Sequence, residues 1–160
     1  MEIRRVYIDD IIDNEKNIKN YLEDLISETT KVDVKERIKE IYDRMKVFLS
    51  DNSAIIYGGF DNDAMIGFIW AYEINSMVYH INYFYISKAY RKRGIGTELL
   101  KQIEKECKAK HGKEIELWVK NDNYSAIEFY QKNNFAESSI KMKKILKILP
   151  DILCVTIMEW

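Results

Sequence analysis

Arg91-Lys92-Arg93-Gly94-Ile95-Gly96-Thr97 lies between an aromatic, β-branched run over 78–86 that reads as a strand and an amphipathic run over 94–110 that reads as a helix. Two glycines one residue apart, at the start of a helix and behind three cations, describe a cradle for an anion. The first-turn amides of a helix have no acceptor within the helix, and the macrodipole makes that end partly positive. Glycine lets a phosphate approach the backbone closely. The stretch therefore points to a phosphorylated ligand. A Walker A loop would need Lys and Ser/Thr directly after its second glycine, where this chain has Thr97-Glu98. A dinucleotide fingerprint would need a third glycine, and that position is Leu99.

What remains is Arg-x-x-Gly-x-Gly between strand and helix, and a second block adds to it. Ile115-Glu116-Leu117-Trp118-Val119 alternates as a strand does. It is followed by Asn121-Asp122-Asn123-Tyr124-Ser125-Ala126-Ile127-Glu128-Phe129-Tyr130 and, after a short polar stretch, by Asn134-Phe135. Together the two blocks resemble the GCN5-related N-acetyltransferase superfamily: its pyrophosphate loop, and its second motif, in which an Asn, an Ala, an aromatic-Tyr pair and a Gly-Phe follow a strand. Asn123, Ala126, Phe129, Tyr130 and Phe135 fall in place. The family's Gly is Asn134 here, a residue that also tolerates the left-handed conformation closing a helix. The resemblance covers roughly 54–135 well and the chain ends more loosely.

The resemblance implies acetyl coenzyme A as cofactor and an amine as acceptor. The cofactor would lie against Tyr85 and Ile86 at the strand end, against Arg91, Lys92, Arg93, Gly94, Ile95, Gly96 and Thr97 in the loop, and against Asn123, Ala126 and Tyr130. Tyr130 is the acid implied for the departing thiolate, because a phenol with a pKa near ~10 stays protonated at neutral pH. Asn123 is also a strong helix N-cap. A backbone amide at or next to Ile86 would meet the oxyanion. In the histone acetyltransferases of this superfamily a glutamate lies six residues before the hydrophobic residue closing this strand. Here that count reaches His80, on one strand face with residues 82, 84 and 86 by alternation. Glu73, on the neighbouring strand, is the competing base or a holder of a cationic substrate. Many relatives use water chains instead. No metal is implied.

The 160 residues bound one domain, taken as a single N-acetyltransferase domain over 1–160. Hydrophobic content of 47% with 32% charged is that of an ordinary globular chain. A net charge of −1 disfavours nucleic acid and anionic membranes as partners, and no apolar run reaches the length of a membrane span. Cys107 and Cys154 make no disulfide framework and read as buried thiols. The N-terminus lacks an apolar signal region, so a cytoplasmic location is expected, as monomer or homodimer.

Periodicity places a short strand over 2–8, helices over 11–30 and 33–49, strands over 54–60, 65–73, 78–86 and 114–120, helices over 94–110, ended by Gly112, and from Asn123, and final strands over 136–146 and 152–159 around Pro150-Asp151. Asp33 with Glu36 reads as a capping box. Asp61-Asn62-Asp63 reads as a tight hairpin. The order gives an α/β fold with a mixed sheet and helices on both faces. The family's architecture adds a mostly antiparallel sheet whose two central parallel strands splay into a V. The first two helices are acid-rich (Asp9, Asp10, Asp13, Glu23, Asp24, Glu28), a field that suits a small cationic amine or a peptide amine. The rival reading is a non-catalytic acyl-coenzyme-A-binding regulatory module; retention of Asn123 and Tyr130 counts against it.

Overall fold

The computed structural model describes residues 1–26, 33–139 and 142. Five strands form one sheet in the order β1 (Glu2–Arg5), β2 (Ala54–Asp61), β3 (Ala64–Asn75), β4 (Val78–Ile86) and β5 (Glu114–Leu117). The first four are antiparallel neighbours, and β4 and β5 are parallel. The β2–β3 hairpin closes through Asn62 and Asp63, both with positive φ (46° and 65°), the two-residue turn that matches strand twist.

Helices α1 (Ile8–Asp13), α2 (Glu15–Ile26) and α3 (Val34–Ser50) cover one sheet face, burying Ile11, Ile18, Leu22, Ile41 and Met45 against Phe68 and Trp70. Helix α4 (Ile95–Ala109) covers the other through Ile95, Leu99, Leu100, Ile103 and Cys107, and Phe129 of α5 (Tyr124–Lys132) packs there too. The helix expected over 11–30 is thus two helices broken at Asn14. The break has a polar cause: the buried Asn14 amide donates to the Asp10 carbonyl, and its Oδ1 accepts from Met65 N–H at 2.8 Å. Ile12 is exposed. Asp33 caps α3 by accepting from the Lys35 amide at 2.9 Å, one residue short of the capping-box partner at Glu36.

At the end of α4 the left-handed residue is His111 (φ 64°), not Gly112. Gly112 is required by packing, since a Cβ there would sit 2.6 Å from the Tyr79 ring and 2.9 Å from the Cys107 carbonyl oxygen. Strand β5 is shorter than the 114–120 expected. Residues 136–139 and 142 are irregular, and the remaining residues of the two final strands, with Pro150 and Cys154, lie outside the described residues. No helix among the described residues is long and apolar enough to cross a membrane.

Candidate active site

The site originates in a difference between two strand lengths. Strand β5 pairs with β4 only from Val78↔Glu114 to Ile81↔Leu117, whereas β4 runs on to Ile86. Beyond Ile81 the two strands part, and a cleft of about 1400 Å³ opens between them. Phe84, Ile86, Gly94, Gly96, Ala126 and Tyr130 line one side of it.

Strand β4 carries a bulge at the same place. Trp70 pairs with Tyr83 and Ala71 with Ile81, so Asn82 has no partner on β3. An extra residue reverses which side chains face each way. Tyr79 and Ile81 pack toward α4, but beyond the bulge it is Phe84 and Ile86 that do so. His80, register partner of Tyr72, therefore shares its face with Tyr83 and Tyr85 rather than with Phe84 and Ile86, and the simple alternation expected over 80–86 fails.

The loop keeps its expected backbone character and loses part of its expected side-chain role. Lys92 (φ 61°) and Gly94 (φ 78°) are both left-handed, and a Cβ on Gly94 would meet nothing within 4 Å. Gly94 caps α4 without any side-chain hydrogen bond, so the first-turn amides are bare on that side. Lys92 and Thr97 line the cleft, as does Arg91. Arg91 is partly committed, because its Nε donates to the Ile86 carbonyl at 2.9 Å and its guanidinium lies 5.5 Å from the Tyr85 ring centroid. Arg93 turns onto the Tyr90 ring at 5.2 Å. Ile95 is a core residue, leaving only its amide for a ligand. Gly96 serves packing: a Cβ there would lie 3.3 Å from Phe129 and 3.4 Å from Phe84.

Asn123 caps α5, its Oδ1 accepting from the Ala126 amide at 3.2 Å. Asn134 has a positive φ of 65° at the end of this helix, the conformation that lets Asn replace Gly. Tyr130 stands among Phe84, Phe129 and Phe135 with ring centroids 6.4, 5.3 and 5.5 Å away. Burial alone pushes its phenol up to about 12, so it is a protonated donor throughout the physiological range.

The two base candidates lie on opposite faces. Glu73 is on the α4 face, where its carboxylate accepts from the Tyr79 hydroxyl at 3.3 Å. His80 is buried on the other face, with Nδ1 3.0 Å from Glu116 Oε1 and its ring against Tyr72. Neither side chain lines the cleft. Tyr85, expected on the cofactor, turns its side chain away from α4: it stacks on Tyr21 at 4.6 Å and donates to Asp24 Oδ2 at 2.5 Å. Only its backbone is left for a ligand on the α4 side.

Of the acidic residues on α1 and α2, only Asp24 reaches the cleft. Asp10 is paired with Arg4 at 2.7 Å, and Glu28 lies outside the described residues. The cleft instead carries Arg37, Lys88, Arg91, Lys92, Lys120 and Lys132 against Asp24, Asp122 and Glu128. An excess of positive charge beside bare helix amides fits a ligand carrying several phosphates. Tyr83 and Glu116 were not found from the sequence, since the bulge and the β4–β5 register set their places, and Arg37 was not found because it reaches the cleft from α3.

A V between two parallel strands, with a glycine loop at the helix that follows, defines an acetyltransferase of the superfamily that the motifs resemble. The chain belongs to the acetyltransferase (GNAT) family, whose model matches residues 4–135; members of that family use acetyl coenzyme A. It is 38% identical to the uncharacterized protein YdhI of Bacillus subtilis over 63 residues, 38% of this chain, and so spans only about two-fifths (39%) of that relative. It is 29% identical to YxbD of the same organism over 120 residues, covering 64% of this chain and 76% of YxbD. Among solved structures it is similar to the PaiA N-acetyltransferase of Thermoplasma acidophilum in complex with coenzyme A. That match has a TM-score of 0.69 at 26% identity, over 82% of this chain and 87% of the other.

Proposed function

We propose that this protein transfers the acetyl group of acetyl coenzyme A to a primary amine, by direct attack in a ternary complex. The observation that carries the reading is the opening of the β4–β5 pair beyond Ile81 and Leu117, with bare α4 amides at its wide end and a protonated phenol on its wall. The cofactor supplies the activated acyl group. The amides of Gly94, Ile95 and Gly96 hold its pyrophosphate, Lys92 and Arg91 add charge, and Ile86 flanks the arm that runs down the V.

The reacting end lies near the narrow end, around Asn82 and Tyr83. That is four residues from Ile86, about 13 Å at ~3.3 Å per residue. The oxyanion donor is therefore a β4 amide nearer the bulge than Ile86. Tyr130 donates a hydrogen bond to the leaving sulfur. The amine loses its proton through water to His80, whose Nε2 carries the lone pair when Nδ1–H faces Glu116. Glu73, held by Tyr79 on the far face, is structural. The acceptor is a small amine or a peptide amine, and the cofactor places the reaction in the cytoplasm.

The experiment is a panel of amines with acetyl coenzyme A, reading free thiol release and N-acetyl product by mass. Amine-dependent thiol release is the expected result. Binding of coenzyme A with no product from any amine, peptides included, would favour the regulatory-module reading.

A further inference from the structure

The acceptor side of the cleft, facing α2 and α3, has a charge pattern opposite to the one the acid-rich helices suggest. Its single acid among the described residues, Asp24, is covered: the Tyr85 hydroxyl donates to it at 2.5 Å, and Lys88 Nζ lies 3.7 Å away. The same cleft is lined by Arg37, from the first turn of α3. Arg44 is seven residues further along the same helix, so it projects from the same face. Its guanidinium lies 5.5 Å from the Phe48 ring. Phe48 meets Trp70 edge-on at 5.7 Å, and Trp70 packs on Tyr83 at 5.5 Å. Arg37 and Tyr83 both line the cleft. Burial raises the Tyr83 phenol, and the positive charges of Arg37 and Arg44 oppose that rise. Arg37 spends one Nη on the exposed Glu40 at 2.9 Å, and Arg44 has no ion pair among the described residues.

The arrangement therefore has two poles along β4. The positive pole is at Tyr83, with Arg37 in the lining and Arg44 beyond it on the same helix, and the weaker negative pole is at Tyr85, two residues or about 7 Å further along the strand. Helix α3 packs on the face opposite α4. Arg37 is thus separate from the amides proposed for the pyrophosphate, and its charge is left for the acceptor.

We propose that the acceptor is an amine bearing an anionic group, a carboxylate or phosphate, which Arg37 and Arg44 bind beside the Tyr83 hydroxyl. Guanidinium forks suit both anions. A nearby cation also disfavours the ammonium form, which leaves the acceptor amine readier to attack. A polycation is repelled at the same place. The inference rests on the acetyl-transfer reading and names its acceptor class.

The test compares matched pairs at saturating acetyl coenzyme A: lysine against cadaverine, and phosphoethanolamine against ethanolamine. The wild-type protein should favour at least one anionic member by more than tenfold in kcat/KM, and which pair discriminates separates carboxylate from phosphate. Arg37→Gln should raise KM for that acceptor at least tenfold more than for its partner, with kcat less affected. Arg44→Gln should do the same more weakly, and Arg37→Lys should restore part of the loss. Equal kcat/KM within both pairs, or an Arg37→Gln loss equal for both members, overturns the proposal. Thiol release from none of the amines, with coenzyme A still bound, falls on acetyl transfer itself.

Discussion

The two walls of the cleft are built from different materials. The α4 wall is mostly backbone: Gly94 in a left-handed conformation, bare first-turn amides, and Gly96 kept small against Phe84 and Phe129. The wall proposed for the acceptor is mostly side chain: Asp24 tied to Tyr85, and Arg37 with Tyr83, while the His80–Glu116 pair lies on the same face of β4 outside the lining. A backbone wall recognises what every member of a family shares, since its donors do not change when side chains do. A side-chain wall can be rewritten without disturbing the sheet. The comparison teaches that, on the proposed assignment, the cofactor and the acceptor are encoded at separate levels of the structure.

Tyr130→Phe should have the largest effect on turnover. Removing the hydroxyl at the junction of the walls should lower kcat by about 10²-fold, the lower end for acid–base groups, with coenzyme A affinity unchanged by calorimetry. Because the phenol is held up to about 12, the alkaline side of the wild-type profile should show no loss from Tyr130 below about pH 11. Unaltered kcat in the variant would make Tyr130 a packing residue.

Gly94→Val attacks the backbone wall alone. The branched side chain has room, but a positive φ costs it roughly 1–2 kcal/mol, and the loop should relax away from its phosphate geometry. Coenzyme A should bind more than about tenfold more weakly in a variant that still unfolds cooperatively. Full affinity in the folded variant would mean the amides do not carry the binding.

His80→Gln probes the acceptor wall. Acting through water, His80 should give a loss below about 10-fold, under the range of a directly placed base. Glu116→Gln, which changes the partner that faces His80 Nδ1, should lower kcat by less than His80→Gln does. Turnover at saturating acceptor unmoved by either change would retire the pair as a proton path.

The smallest effect is expected from Tyr85→Phe. The Tyr85 hydrogen bond is the main reason that the Asp24 carboxyl sits below its ordinary range, with Lys88 and Arg91 adding to it. Losing the donor should move the Asp24 titration to higher pH, followed by carboxyl chemical shifts. Asp24 would then lose its charge earlier as pH falls. A titration that stays in place would show that Lys88 and Arg91 alone hold it.

The backbone wall was legible in the sequence because its requirements fall on glycine, asparagine and local spacing. Gly94, the Asn123 cap and Asn134 all appear in the conformations their residue types favour. Strands β2 to β4 and the hairpin at Asn62-Asp63 were legible from period and turn chemistry for the same reason. The acceptor wall was not. One extra residue at Asn82 inverts the faces of β4, so alternation grouped His80 with the wrong neighbours and turned Tyr85 toward the cofactor. Arg37 reaches the cleft from a helix nearly fifty residues away from Tyr83, and no local pattern marks it. The acid-rich helices misled because a charge count does not reveal that Asp10 is spent on Arg4 and Asp24 on Tyr85. Asn14 broke a helix through a tertiary hydrogen bond to Met65 that periodicity does not detect.

The most direct test of the central claim is a titration of the ¹⁵N-labelled protein with coenzyme A, followed amide by amide. The account predicts the largest shifts at Arg93, Gly94, Ile95 and Gly96, a second group along β4 from Asn82 to Ile86, and little change at Arg37 or Arg44 on α3. Saturable binding with the largest shifts on α2 and α3 and none at Gly94–Gly96, or no binding at all, would contradict it.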